Sequence, residues 1–311
     1  MTETTFTLEA DDGQRLFAYS WLPEGGEPRA IVQIAHGASE HSARYRRVAE
    51  ALNEAGYGAY AADHRAHGRT AADFGQFGVA RPGGWAAIVD DLHTLTNHIN
   101  QAHPGLPVVF MGHSMGSMMG QEYLHRWSGE LAGAVLSGTT GGSVLDQTML
   151  GAIVAMGEGD TADQPSEVFA AMFGGFNEPF AAVTDSEVTG FEWLSRDEAE
   201  VKLYVDDPWC GEPLSNGYVA DMMSAMDATW SGDGESRIAT DLPIYVFSGD
   251  HDPVGGVEAD SVKDLVGRYE ALGIENVTLR LYENGRHEML NETNRADVEA
   301  DLISWLDGLS L

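Results

Sequence analysis

A chain of 311 residues with 43% hydrophobic content is long enough to bury a substantial core, and a formal charge of −32, from 49 acidic against 17 basic residues, argues against docking on nucleic acid or anionic membrane surfaces. There is no run of eighteen apolar residues to predict a transmembrane helix or stable membrane insertion, and the acidic start MTETTFTLEADDGQ lacks the basic and apolar parts of a secretory signal, so a cytoplasmic location is expected. The single cysteine, Cys210, excludes an internal disulfide and, with no histidine near it in sequence, reads as structural. Two explanations of the acidity stay open: a GC-rich genome that uses Arg, Asp and Glu freely, or adaptation to high salt, where screening removes the self-repulsion of such a surface.

In chain order, Thr5 to Glu9 alternates, Asp11-Asp12-Gly13 reads as a turn, and Arg15 to Leu22 pairs back, predicting an N-terminal hairpin. Ala30 to Ala35 is a continuous apolar run suited to a sheet buried on both faces. It delivers His36-Gly37-Ala38, and an amphipathic helix follows with Tyr45, Val48, Leu52 and Ala55 on one face and Gly56 as its C-terminal stop. Tyr57 to Ala62 predicts the next strand, ending in the loop Asp63 to Gly68. Trp85, Ile88, Leu92, Leu95 and Ile99 recur at spacings of three and four, predicting a helix. Val108 to Phe110 is a strand leading into Gly112-His113-Ser114-Met115-Gly116, with a helix over Met115 to Trp127; Ala132 to Leu136 is a further buried strand. This alternation predicts an α/β protein with a mostly parallel central sheet and helices on both faces.

The rhythm breaks from Gly141 to Asp241, a Met-, Trp- and Gly-rich stretch without buried strand runs, and resumes with a strand over Leu242 to Ser248, a helix bearing Val262, Leu265, Val266, Tyr269 and Leu272, a strand over Val277 to Tyr282 and a closing helix with Val298, Leu302, Trp305 and Leu309. The expected organisation is a core formed by residues 1–140 and 242–311, interrupted by an inserted helical cap over 141–241 at the C-terminal edge of the sheet. In that insertion Val144, Leu145, Met149, Leu150, Ile153, Val154 and Met156 fall at helical spacing, and they serve either to pack a helix on the core or to line an apolar pocket; Met222, Met223 and Met226 invite the same two readings.

Gly-x-Ser-x-Gly between a strand and a helix places Ser114 at a strained corner with its hydroxyl above the sheet, and Gly112 and Gly116 let strand and helix pass closely. The helix that starts there aims N–H groups and a positive dipole end at the site of a developing oxyanion. A serine nucleophile needs a base oriented by a carboxylate at the same sheet edge. His287, after the strand at 277–282, and Asp250 or Asp252, after the strand at 242–248, meet that condition in the chain order Ser, Asp, His; Asp252, further from the strand end, is better placed to reach the histidine.

The segments HGASEHSARY, DHRAHGRT, GHSMGS, GDHDPVG and YENGRHEMLNE, in this order, closely resemble the monoacylglycerol lipase and lysophospholipase branch of the α/β-hydrolases, of the serine aminopeptidase S33 type, over most of the chain outside the insertion; YVDDPWCGEPLSN within it is similar to bacterial members. The resemblance implies the α/β-hydrolase fold with a helical cap, Ser114 as nucleophile, Asp252 as acid and His287 as base. It further implies an oxyanion hole from the backbone N–H groups of Ala38 and Met115, and contacts from Glu40, His41 and Arg44 to a glycerol head group. Where the family usually has Arg-Gly-His-Gly, this chain has Arg65-Ala66-His67-Gly68, a departure that touches loop geometry and not the triad. The implied activity is hydrolysis of single-chain lipid esters through an acyl-enzyme, with no cofactor or metal. The alternatives are a small-ester carboxylesterase or peptidase of the same fold, or a non-catalytic ligand-binding member. An aspartate-nucleophile epoxide hydrolase or dehalogenase is excluded by Ser114.

The remaining histidines have ordinary explanations. His64 and His67 are expected as a surface or loop-packing pair rather than metal ligands, His93, His98, His103 and His125 as exposed helical residues, and His113 as packing under the elbow.

Overall fold

The computed structural model describes residues 1–311 except Arg81, 143–145 and 184–186. Eight strands form one sheet: β1 (Thr2–Glu9), β2 (Arg15–Leu22), β3 (Ile31–Ala35), β4 (Gly58–Ala62), β5 (Val108–His113), β6 (Gly133–Ser137), β7 (Ile244–Gly249) and β8 (Val277–Tyr282). Their order is β1-β2-β4-β3-β5-β6-β7-β8. The hairpin β1/β2 and the β2/β4 pair are antiparallel, and every pair from β4 to β8 is parallel. The predicted hairpin, with its turn at Asp11 to Gly13, is present.

The strands from β3 to β7 are buried along their whole length because both faces are covered, and they are mostly apolar, with Gln33, His113, Ser137 and Ser248 as the polar exceptions. Side chains alternate between faces: Val32, Ile34, Val109, Met111 and Val135 meet α1 (Arg46–Glu54) and α10 (Arg295–Asp307) through Val48, Leu52, Val298 and Leu302. On the other face Phe110 lies with Ile88 and Leu92 of α3 (Gly84–Ala102) and Met119 and Tyr123 of α4 (Met115–Trp127), and Leu136 and Val246 lie with Val262 and Leu265 of α9 (Asp260–Ala271). A short helix, α2 (Gly68–Phe74), follows the β4 loop. This is the expected α/β-hydrolase architecture.

Strand limits other than those of β2 and β8 shift by one to three residues from expectation, and at β7 and β5 the local reason is evident. β7 begins at Ile244 because Pro243 has no N–H to donate, although its carbonyl still accepts from Ala134. β5 continues through Gly112 and His113, which pair with Leu136 and Ser137. Between β6 and β7 the described residues form no strand of the sheet and carry α5 (Gln147–Met156), α6 (Glu167–Ala181), α7 (Glu198–Asp206) and α8 (Asn216–Ser231). α5 starts at Gln147, where the Asp146 carboxylate accepts from the N–H groups of Thr148 and Met149. Val144 and Leu145 lie outside the described residues.

Candidate active site

Because β3 and β5–β8 run parallel, the loops leaving their C-terminal ends share one edge of the sheet, and all the predicted site residues arrive there. Ser114 joins β5 to α4 with φ 52° and ψ −123°, a region L-residues rarely enter. The surroundings enforce the corner: Ser114 N–H donates to Ser137 O (2.9 Å), while its carbonyl accepts from Ser117 Oγ (2.6 Å) and N–H (2.8 Å). A Cβ on Gly116 would collide with the carbonyls of Ala35 and His36, and one on Gly112 with the Gly116 backbone, so the two glycines permit the close approach expected of them. Met115 opens α4, so its N–H has no intrahelical acceptor.

His287 Nδ1 lies 2.9 Å from both carboxylate oxygens of Asp252. Asp252 is fully buried and also accepts from Val254 N–H (2.9 Å) and Ser248 Oγ (3.1 Å). An acceptor-only carboxylate on Nδ1 selects the tautomer that leaves Nε2 unprotonated. Burial would push the His287 pKa down, but Asp252 outweighs it and the pKa sits above the usual histidine value. Asp250, by contrast, bonds the exposed His251 (2.6 Å) rather than His287. Ser114, His287, Gly37 and Ala38 line one small pocket, with Glu40, His113, Phe173, Trp193, Leu194, Tyr204 and Glu288.

The His36-Gly37-Ala38 segment is held by histidines of the neighbouring loop. His36 Nδ1 donates to Gly37 O (2.8 Å), His36 Nε2 accepts from His64 N–H (3.0 Å), and His64 Nε2 donates to His36 O (3.1 Å). Burial pushes His64 down to about 3 and His67 to about 4, so these rings stay neutral spacers. His64 and His67 are thus a loop-packing pair, deep inside rather than at the surface. Ala66 has φ 69°, a left-handed conformation that a glycine would adopt more readily than an alanine. His113 packs under the elbow, 3.2 Å from Ser137 Oγ and with its ring centroid 4.7 Å from that of His287.

The four helical histidines are not exposed. His125 is buried at 6% exposure, the ring lying against Gly234, where a Cβ would strike it. His93 stacks on Trp127 (4.3 Å) with Nε2 on Glu130 (3.0 Å), His98 stacks on Phe6 (4.6 Å), and His103 bonds the Tyr60 hydroxyl (2.9 Å), so each ring covers aromatic surface. Cys210 is partly buried, and burial raises its thiol well above the usual range, which suits a structural role. It lies with His41 and Asp207, whose Nε2 and Oδ2 are 3.0 Å apart.

Of the three residues expected at a head group, Glu40 reaches the pocket beside Ser114, whereas His41 is turned to Asp207 and Arg44 is engaged by Glu40 and Glu288. Phe173, Trp193, Leu194 and Glu288 were not singled out from the sequence. The first three come from the segment between β6 and β7, well separated in sequence from Ser114, and only the Trp-rich character of that stretch hinted at them. Trp193 and Leu194 are tied to the His287 loop, their carbonyls accepting from the N–H groups of His287 (3.3 Å) and Glu288 (2.7 Å). The pocket they close has room for about one water molecule. Met222 and Met226 are instead core residues, buried with Met115, Met119 and Trp85, and in α5 Ile153 is buried while Met149 and Met156 face outward. A larger groove of ≈ 580 Å³ between α3, α4 and α8 contains none of the predicted site residues.

The family model described as serine aminopeptidase S33 matches residues 26–294. The chain is 30% identical to a monoacylglycerol lipase of Mycolicibacterium smegmatis, over 98% of this chain and 97% of that protein. It is 28% identical to human monoglyceride lipase, over 90% of this chain and 82% of that one. Among solved structures, a highly thermostable carboxyl esterase from Bacillus coagulans in complex with glycerol superposes with a TM-score of 0.90 at 27% identity, covering the whole of both chains.

Proposed function

The chain belongs to the serine aminopeptidase S33 family of α/β-hydrolases and is an enzyme, a carboxylic-ester hydrolase, and on that premise we propose that it hydrolyses single-chain lipid esters, monoacylglycerols or lysophospholipids, through an acyl-enzyme on Ser114. The observation that carries this reading is the 2.9 Å contact of His287 Nδ1 with the buried Asp252 carboxylate, in the pocket that Ser114 lines. His287 Nε2 takes the Ser114 proton and the alkoxide attacks the ester carbonyl. The resulting oxyanion is met by the N–H groups of Ala38 and Met115. Collapse of that intermediate expels the alcohol, which receives the proton from His287; water, deprotonated by the same imidazole, then releases the fatty acid and restores Ser114. Asp252 orients the ring and stabilises its protonated form. The chemistry draws on no metal or cofactor.

We read residues 141–241 as the cap over a core of 1–140 and 242–311. Phe173, Trp193, Leu194 and Tyr204 roof Ser114 with apolar and aromatic surface suited to an acyl chain, and α5 brings an uncharged helix to a protein of charge −32. The near-closed pocket also favours a second reading, a carboxylesterase restricted to small esters. Hydrolysis rates across an ester series from acetyl to palmitoyl, with monoacylglycerol included, separate the two. The lipid reading predicts kcat/KM rising to octanoyl or beyond, and an acetyl optimum would overturn it.

A further inference from the structure

Behind the pocket, three charged side chains from two loops close on one another. Arg44 Nη1 donates to Glu40 Oε2 (2.5 Å) and to Glu288 Oε1 (2.7 Å), and Nη2 donates to Glu288 Oε2 (2.7 Å). Glu40 turns its other oxygen, Oε1, to the Gly37 N–H (2.5 Å) and the Tyr45 hydroxyl (2.9 Å). Glu288 directly follows His287 and also accepts from Asn291 Nδ2 (2.8 Å). A continuous polar bridge therefore runs from the His36–Gly37 peptide to the residue adjoining His287. It leaves Gly37 little room, since a Cβ there would meet Glu40 Oε1 at 2.8 Å and Ser114 Cβ at 3.1 Å.

The side chains of Arg44, Glu40 and Glu288 are 12%, 3% and 7% exposed. Burying two carboxylates and one guanidinium is a poor route to stability, because apolar residues of similar volume serve as well without the desolvation cost. The arrangement is also unbalanced: one cation faces two anions, so a net charge of −1 is held next to the His287 loop. Burial would push Glu288 up, but Arg44 brings it down to about 2, so it is ionised throughout the working range.

We propose that the Glu40–Arg44–Glu288 bridge is a positioning device for the reaction: it fixes the His36–Gly37 peptide, one residue before the Ala38 N–H, relative to His287, and its surplus negative charge stabilises the imidazolium that His287 becomes. This rests on reading Ser114 as nucleophile and His287 as base. The groups facing His287 are Asp252 from the loop after β7, His113 from β5, Glu40 from the loop after β3, Glu288 from its own loop, and the uncharged Trp193 ring at 4.8 Å. His113 adds no charge near neutrality, because burial pushes it down to about 4. Arg44, Glu40 and Glu288 are positioning residues: geometry and charge are their two contributions, and they are separable.

The test uses the full chain and a soluble p-nitrophenyl ester, with kcat, KM and the acidic limb of kcat/KM measured for Arg44→Lys, Arg44→Met and Glu288→Gln beside wild type. Arg44→Lys keeps the charge and loses the fork, so kcat should fall about tenfold or more with KM and the limb little changed. Glu288→Gln removes the surplus anion and should move the limb to lower pH by about 0.5 unit or more, whereas Arg44→Met leaves two unopposed carboxylates and should move it up. Opposite shifts are a signature that loosened packing does not produce. Should Arg44→Met fail to fold, Arg44→Lys and Glu288→Gln carry the test, melting curves having shown them folded. Wild-type kcat in Arg44→Lys together with an unmoved limb in Glu288→Gln would overturn the proposal. If wild-type Ser114 reacts with a fluorophosphonate while the variants behave as wild type, only this inference fails; if the wild type neither reacts nor hydrolyses the ester, the reading beneath it fails first.

Discussion

Asp252→Asn is the most informative single change, because the proposed mechanism gives Asp252 a purely electronic and orienting task. The carboxylate is fully buried and 2.9 Å from His287 Nδ1 through either oxygen. The same two oxygens also accept from Val254 N–H and Ser248 Oγ, so an asparagine of the same shape keeps its Val254 bond through Oδ1 and the loop it caps. What the change removes is the charge opposite the imidazolium and the acceptor that selects the tautomer with Nε2 free. Loss of that selection costs about 10⁴ in kcat, close to 5 kcal/mol of transition-state stabilisation. With Asp252 neutral, burial is left to dominate, so the His287 pKa should also fall. Asp250 lies two residues away with its side chain on His251, and Asp250→Asn should stay within a few-fold of wild type. Ester hydrolysis of both purified variants, beside circular dichroism and melting curves, makes the comparison. A folded Asp252→Asn with a tenth or more of wild-type kcat, or an equal loss in Asp250→Asn, would refute the reasoning.

Three other outcomes follow from the geometry. His287 must be unprotonated to act as base and its pKa is raised, so kcat/KM should fall as pH drops through a midpoint above the usual histidine value near 6.5; a pH profile in constant-ionic-strength buffers reads it. Gly116→Ala forces a methyl onto the carbonyls of Ala35 and His36, and should lower stability by about 2 kcal/mol or more with loss of ester turnover, as measured by urea unfolding and rate. The charge of −32 should make the protein more stable as salt rises from low to molar concentration, seen as a rising Tm in sodium chloride; a flat or falling Tm would remove salt adaptation as the reason for the acidity.

Legibility in the sequence divided along physical lines. β2, β8 and α4 have the limits read from pattern alone, because two-sided burial or a turn residue marks each end. Ser114, Asp252 and His287 were readable because chain order and sheet edge constrain them, and the structure brings all three to that edge. The roof of the pocket was not, since Phe173 and Trp193 meet Ser114 only through tertiary packing that no periodicity encodes. Arg44 was expected at a head group because the resemblance placed it in a polar stretch beside the pocket; its partner Glu288 lies 244 residues away and could not be paired with it from spacing. The same distance effect hid the burial of His125, whose ring is covered by Gly234.

The most direct measurement is covalent labelling with a fluorophosphonate, read by intact mass and peptide mapping, on wild type and Ser114→Ala. The account predicts one adduct per wild-type chain, located on Ser114, with loss of ester hydrolysis in step with labelling and no adduct on the variant. An active wild-type enzyme that labels elsewhere, or a Ser114→Ala protein that keeps its activity, would contradict it.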